Sequence, residues 1–234
     1  AAREKIKEAL EQIYHTGRCV RGWLPLKDRN CSDSSTWVAP TINAYLKETG
    51  DYGFLKEPVR YLDEGADTEW ENILTTVRYS SEDTGPHGLV HIHAGDWNDS
   101  LNGMGKAGIG ESVWTSIALY NALEAVTEMA PAIVQEMQER AGRIRQAVNE
   151  SGWDGAWYLT GYNDDGQKVG SVENEEGRIY MNPQVWAVMT GIAKGERKEL
   201  CLHSMEKYLE TEYGALTLYP PYTKYRPDIG RQTG

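Results

Sequence analysis

The residues with the types and spacing for chemistry stand together in one short stretch. Residues 95–103 read GDWNDSLNG: Asp96 and Asp99 lie three positions apart, Trp97 and Asn98 fall between them, and glycines flank the group. Cleaving a glycosidic bond needs an acid to protonate the departing oxygen. An inverting reaction also needs something on the opposite face to attack the anomeric carbon. A carboxyl beside an indole can hold its proton to higher pH, because desolvation disfavours the charged form. The indole itself offers a platform for a pyranose ring. The same spacing also suits a plain turn, in which Asp and Asn side chains accept from nearby backbone amides. Spacing alone does not choose between the two.

Two further groups are candidates. His91 and His93 alternate along His-Ile-His, and a strand would put both on one face. With a nearby Asp they could bind a metal, but no third or fourth ligand has matched spacing, so no metal is expected. The plainer reading has them bonded to backbone or lining a cleft. Arg29, Asp33 and Trp37 form a polar and aromatic cluster suited to sugar hydroxyls, with Asp accepting and Arg donating. Alternatively Asp33, Ser34 or Ser35 caps the helix that follows. Glu111 reads as a first-turn acid of a helix, and Glu173, Glu175 and Glu176 as a solvated run. Gln184 opens a nearly all-apolar helix and must find a partner if buried.

The elements that position these residues are mostly helices. Apolar spacing predicts helices over 3–15, 35–48 (stopped by Gly50) and 67–80 (capped by Asp67 or Thr68). Residues 112–129 are apolar almost all round, which implies burial on most sides. Residues 131–149 open with Pro131, a favoured first position, and carry a single stripe of Ile133, Val134, Met137, Ala141, Ile144 and Val148. The pattern recurs, with 183–193 apolar all round and 196–212 striped. A buried helix followed by a surface helix, twice, is what an inner and an outer ring would produce: an α/α toroid or part of one. A helical bundle with a central helix is the alternative. A hairpin is predicted around Asp165-Gly166. The glycine-rich stretch 85–111 is too long for an idle loop.

Composition narrows the function. The 234 residues suit one domain or one piece of a longer protein. Eight Trp and 14 Tyr against one Phe suit a sugar-binding cleft, though such residues also fill cores. A net charge of -11 and a pI near 5.0 exclude a nucleic-acid groove and attraction to an anionic membrane. They leave room for a small anion such as phosphate. Cys19, Cys31 and Cys201 are odd in number and form no CxxC, which argues against a disulfide framework or zinc site and for a reducing, cytoplasmic setting. No apolar run is long enough to span a bilayer, and AAREKIKEAL reads as an amphipathic helix, not a signal peptide.

The stretch GDWNDSLNGMGKAGIGESVW resembles the signature of the β-glycoside phosphorylases of glycoside hydrolase family 94. The similarity continues in SDSSTWVAPTINAYLKETGD, in WDGAWYLTGYNDDGQKVGSVENEEGRIYMNPQVWAVMTGIA and in LTLYPPYTKYRPDIG. It implies an all-α, (α/α)6 toroid with a minor hairpin and loop component. It also implies inverting phosphorolysis, in which phosphate attacks a β-linked disaccharide or oligosaccharide to give an α-sugar 1-phosphate. Asp99 matches the general acid and Trp97 the indole along the sugar. Asp33, Arg29 and Asp96 complete the implied substrate-binding set, with Ser34 standing where the family has a second Asp. No base, metal or cofactor is implied, since phosphate is itself the nucleophile. Family members form homodimers and are longer, so residues 1–234 are expected to be part of a single catalytic domain. The N-terminal β-sandwich, the C-terminal part and most of the phosphate site are expected to lie outside them, and the piece alone is expected to be an incomplete ring. An inverting hydrolase on the same ring is the main alternative. It would need a base about 6.5–9.5 Å from Asp99, for which Glu111, Glu173 and Glu176 are candidates. A non-catalytic carbohydrate-binding remnant is the other.

Overall fold

Helix α4 (Val113–Met129) organises the structure, because all of its residues but Asn121, Glu124, Thr127 and Glu128 are buried. In this computed structural model, which describes residues 1–130 and 134–233, α4 packs against α2 (Val38–Thr49), α3 (Glu69–Glu82), α5 (Val134–Ser151) and α6 (Met181–Met189). Helix α1 (Ala2–Leu10) lies on α2, and α7 (Glu196–Leu209) on α6. The stripe on α5 is as expected: Met137, Ala141, Ile144 and Val148 are buried, while Glu139, Arg143 and Gln146 face water. Pro131 and Ile133 lie outside the described residues, as does the side chain of Val134.

Local signals account for most helix ends. Thr68 Oγ1 accepts from Glu71 N at 3.2 Å to cap α3, and Ser112 Oγ accepts from Thr115 N at 3.0 Å to cap α4. Gly50 closes α2 in a left-handed conformation, its N–H donating to Leu46 O. The first predicted helix stops at Leu10, short of residue 15. The chain reverses through Gly17 at φ 93°, where an added Cβ would lie 2.2 Å from Thr75 O, and Ile13 pairs with Cys19 across the turn. The helix predicted over 35–48 begins as a 3-10 turn, Ser34–Trp37. The helix predicted over 196–212 ends at Leu209, and 210–211 pair with 214–215 as a hairpin. Helix α6 ends at Met189, which is 74% exposed, so the all-round burial expected of it holds only on the side facing α4 and α7.

The small sheets matter for function. Strands Val90–His91, Glu111–Ser112, Gly161–Tyr162 and Lys168–Val169 form one antiparallel sheet, in that order. Its first two strands enclose the stretch that carries Asp96 and Asp99, and its second leads directly into α4. The last two form the predicted hairpin, with Gly166 at φ 72°. Gln184 finds its partners: it accepts from Tyr158 N and donates to Tyr158 O, both at 2.7 Å, and donates to Tyr180 O at 3.0 Å. Helix is thus the commonest regular structure, beside several small sheets, and no helix among the described residues is long and apolar enough to cross a membrane.

Candidate active site

The turn Gly95–Asn102 divides its polar side chains between two tasks. Asp96 points inward and is buried. Its Oδ1 accepts from Asn98 N at 2.8 Å and its Oδ2 from Ser112 Oγ at 2.7 Å. Asn98 continues the pattern, accepting from Ser100 N at 3.1 Å and donating to Gln232 Oε1 at 2.7 Å. Both are the backbone-bonded turn residues that the plain reading foresaw. Asp99 takes no part in this. Its side chain is 48% exposed and meets Arg21 Nη2 at 3.2 Å and Arg29 Nη1 at 3.7 Å. Burial pushes the Asp96 carboxyl up to about 6, against the hydrogen bonds from Ser112 and Asn98. Asp96, the acid next to the indole in sequence, is thus the more buried of the two and is engaged in hydrogen bonds within the turn.

Distant segments hold this turn and the loop that follows it in place. Asp164, from the 161–169 hairpin, accepts from Ala107 N (2.7 Å), Ile109 N (3.0 Å) and Gly110 N (2.9 Å). Near the C-terminus, Gln232 N donates to Ser100 O at 2.9 Å, Arg231 N to Asn102 Oδ1 at 3.1 Å, and Gly103 N to Ile229 O at 2.9 Å. Gly103 permits that last approach, since a Cβ there would lie 2.4 Å from Pro227 O.

Arg21 is the site residue that the sequence did not reveal. It carries no motif and sits in an irregular stretch before the hairpin 22–27. Its Nη1 donates to Asp33 Oδ1 at 3.3 Å and Oδ2 at 3.2 Å, so one guanidinium links Asp33 to Asp99. Asp33 is fully buried and also accepts from Trp37 Nε1 at 3.0 Å. It precedes the 3-10 turn but makes no side-chain cap bond there, so the capping alternative does not describe it. Burial works against the Arg21 charge, and Asp33 and Asp99 more than offset it. Arg21, Trp23, Lys27, Arg29 and Asp99 line a hollow of about 310 Å³.

Trp97 is 52% exposed and lies beside Trp114, ring centroids 6.4 Å apart, at the end of a cluster that includes Trp37 and Trp186. It does not line the Asp99 hollow. Arg29 donates to Ala94 O and, with His93, Lys106 and Arg231, borders a second, basic hollow of about 600 Å³. The three glutamates considered as bases are occupied elsewhere. Glu111 is buried and accepts from His87 N (3.1 Å) and Leu89 N (3.2 Å), Glu173 lies 3.4 Å from Lys168 Nζ, and Glu176 accepts from Thr223. None of them lines the hollow beside Asp99. His91 and His93 both face Asp83, and these three are the residues that could hold a metal.

Known proteins resemble this chain in sequence and in fold. The chain is 59% identical to a solabiose phosphorylase from Paenibacillus borealis, across 100% of this chain and 31% of that protein. It is 36% identical to a 3-O-beta-D-glucopyranosyl-beta-D-glucuronide phosphorylase from the same organism, across 86% of this chain and 27% of that one. The chain thus spans under a third of the length of these relatives. Among solved structures, a GH78 family rhamnosidase of Bacillus sp. GL1 has the same fold, with a TM-score of 0.62 at 17% identity, covering 99% of this chain and 28% of that one. The family description "Glycosyl hydrolase 94 superfamily, catalytic domain" matches residues 16–234, and the chain belongs to that family.

Proposed function

We propose that this chain is the acid-bearing part of an inverting β-glycoside phosphorylase. Inorganic phosphate is the co-substrate, a β-linked disaccharide or oligosaccharide the other substrate, and no cofactor takes part. The observation that carries this reading is the separation of the two acids. Asp96 is consumed in holding the turn, while Asp99 faces an open hollow beside two guanidiniums with no carboxylate base among its lining residues. A hydrolase needs such a base to activate water, whereas phosphate is already an anionic nucleophile.

In the reaction, a phosphate oxygen forms a bond to the anomeric carbon from the α face. The bond from that carbon to the glycosidic oxygen breaks, and Asp99 delivers its proton to the departing oxygen. The products are an α-sugar 1-phosphate and the shortened acceptor. Asp99 rests against Arg21 and Arg29, so proton delivery requires it to part from them as substrate enters. Arg29 and Asp33 bind donor-sugar hydroxyls once substrate opens the Asp33–Arg21–Asp99 link of the resting site, and Trp97 stacks on the sugar. Asp96 positions the turn.

The relatives named above support phosphorolysis as the reaction class, and solabiose is the first disaccharide to try. The buried-then-striped helix pairs α4–α5 and α6–α7 support a toroid, with the open flank of α6 as a position for a further helix. The three buried, unbridged thiols support a cytoplasmic setting. A homodimer is the expected assembly of the whole protein. The test is to incubate the intact polypeptide that carries this chain with a panel of β-linked disaccharides, with and without phosphate. Phosphate-dependent cleavage that yields an α-sugar 1-phosphate is expected. Cleavage at equal rate without phosphate would replace this reading with the hydrolase.

A further inference from the structure

The spacing of His91 and His93 offers no third metal ligand, but the fold brings one. Asp83 closes α3, and the chain returns to it through the strand Val90–His91. His91 Nδ1 lies 2.9 Å from Asp83 Oδ1, and His93 Nε2 lies 2.5 Å from Asp83 Oδ2. One ligand atom from each of the three residues falls within 4.8 Å of the others. The side chains are 20–21% exposed, so an ion can reach them.

The imidazole geometry fits a shared ion. Nitrogens bound at about 2.0–2.1 Å to one tetrahedral centre lie about 3.3 Å apart, with their ring centres about 5 Å apart. The centroids of His91 and His93 are 5.7 Å apart, with the planes tilted by 49°. Small side-chain shifts would bring all three ligands to bonding distance. A second observation comes from the backbone. His93 is at φ 51°, the one non-glycine residue with positive φ among those described. Such a conformation is uncommon for a residue with a side chain and persists only where the surroundings over-determine it. Here the flanking backbone is pinned: His93 bridges to Cys31, and Ala94 N donates to Asn30 O at 3.0 Å. In this conformation the His93 imidazole meets Asp83.

We propose that Asp83, His91 and His93 form a site for a divalent first-row transition ion of the Zn2+ type, which clamps the end of α3 to the strand feeding the acid-bearing turn. Two imidazoles and one carboxylate are the donors such an ion prefers, and a fourth position is left for water. The ion does not touch the Asp99 hollow. Its role is to hold the segment six residues ahead of Asp99, which makes the three ligands positioning residues.

The test uses the intact polypeptide stripped of metal with a chelator and needs neither sugar nor phosphate, so its outcome is independent of the phosphorolysis reading. Titration with Zn2+ by calorimetry should show one ion per chain. Co2+ should give the intense visible absorption of tetrahedral ligation, and Zn2+ should raise the melting temperature in a way that EDTA reverses. Asp83→Asn and His93→Gly should each weaken binding by at least about 100-fold. His93→Gly also relieves the left-handed backbone, so it should stay folded and separate loss of a ligand from misfolding. Absence of stoichiometric uptake would overturn the site, as would equal uptake by wild type and both variants. The three side chains would then be a hydrogen-bonded brace alone.

Discussion

The acid-bearing turn and helix α4 adjoin in sequence and meet at Ser112, yet different forces hold them. Helix α4 is fixed by apolar burial on nearly every side, with Ile117, Leu119, Leu123 and Val126 inaccessible to water. Each such side chain contributes about 1.5–3 kcal/mol, so the helix position is over-determined. The turn buries little. It and the loop that follows it are held by separate hydrogen bonds of Asp96, Asn98, Asp164, Gln232 and Ile229, each worth about 1 kcal/mol net. Injury to the helix should therefore appear as lost stability, and injury to the turn as lost chemistry.

Four substitutions test that contrast, from the largest expected effect to the smallest. Asp99→Asn in the intact protein should lower turnover by about 10²–10⁴-fold while leaving the melting temperature unchanged. Near-normal turnover would remove Asp99 from the acid role. Ile117→Ala should do the reverse. Denaturant unfolding should show a loss of about 2–5 kcal/mol, with turnover per folded molecule retained.

Glu69 sharpens the contrast from within the helical part. It is a carboxyl on α3 with no accessible surface and no hydrogen-bond partner, and burial raises it from 4.5 to about 7. A raised acid holds its proton more tightly in the folded state. Its contribution is therefore full below the unfolded value of 4.5 and is lost as pH rises through about 7. Glu69→Gln should remove that loss, so the variant should gain stability relative to wild type between pH 4.5 and pH 7, on the order of 3 kcal/mol at the upper end. A stability difference that does not change with pH would show that Glu69 is paired or hydrated. The mildest change is Asp164→Ala, which strips the shared acceptor from three backbone amides. It should reduce turnover by about 10-fold through misplacement of the turn, with only a small shift in melting temperature. A large shift would mean that the turn carries more of the fold than its hydrogen bonds suggest.

Helix periodicity survived folding because it reports a local property, the side of each helix that must leave water. The stripe on α5, the near-complete burial of α4 and the cap at Thr68 could all be read in advance. The helix ends at Leu10 and Leu209 could not. Each was decided by a reversal or a strand pairing that involves residues outside the periodic window. The candidate site divides in the same way. Asp99, Trp97, Asp33 and Arg29 could be picked out by residue type and by family resemblance. Arg21 could not, because an arginine in an irregular segment carries no signal until Asp33 and Asp99 are brought to it.

By itself, the sequence determined that helices dominate the regular structure of this chain, and that it is acidic, rich in Trp and Tyr, and armed with two acids around an indole. Those features follow from composition, period and neighbours along the chain. Only the tertiary structure decided which acid faces outward, that one guanidinium joins Asp33 to Asp99, and that Asp83 meets both His91 and His93. Such choices depend on which polar groups the packed helices leave without water, and on residues far apart in sequence arriving at one place.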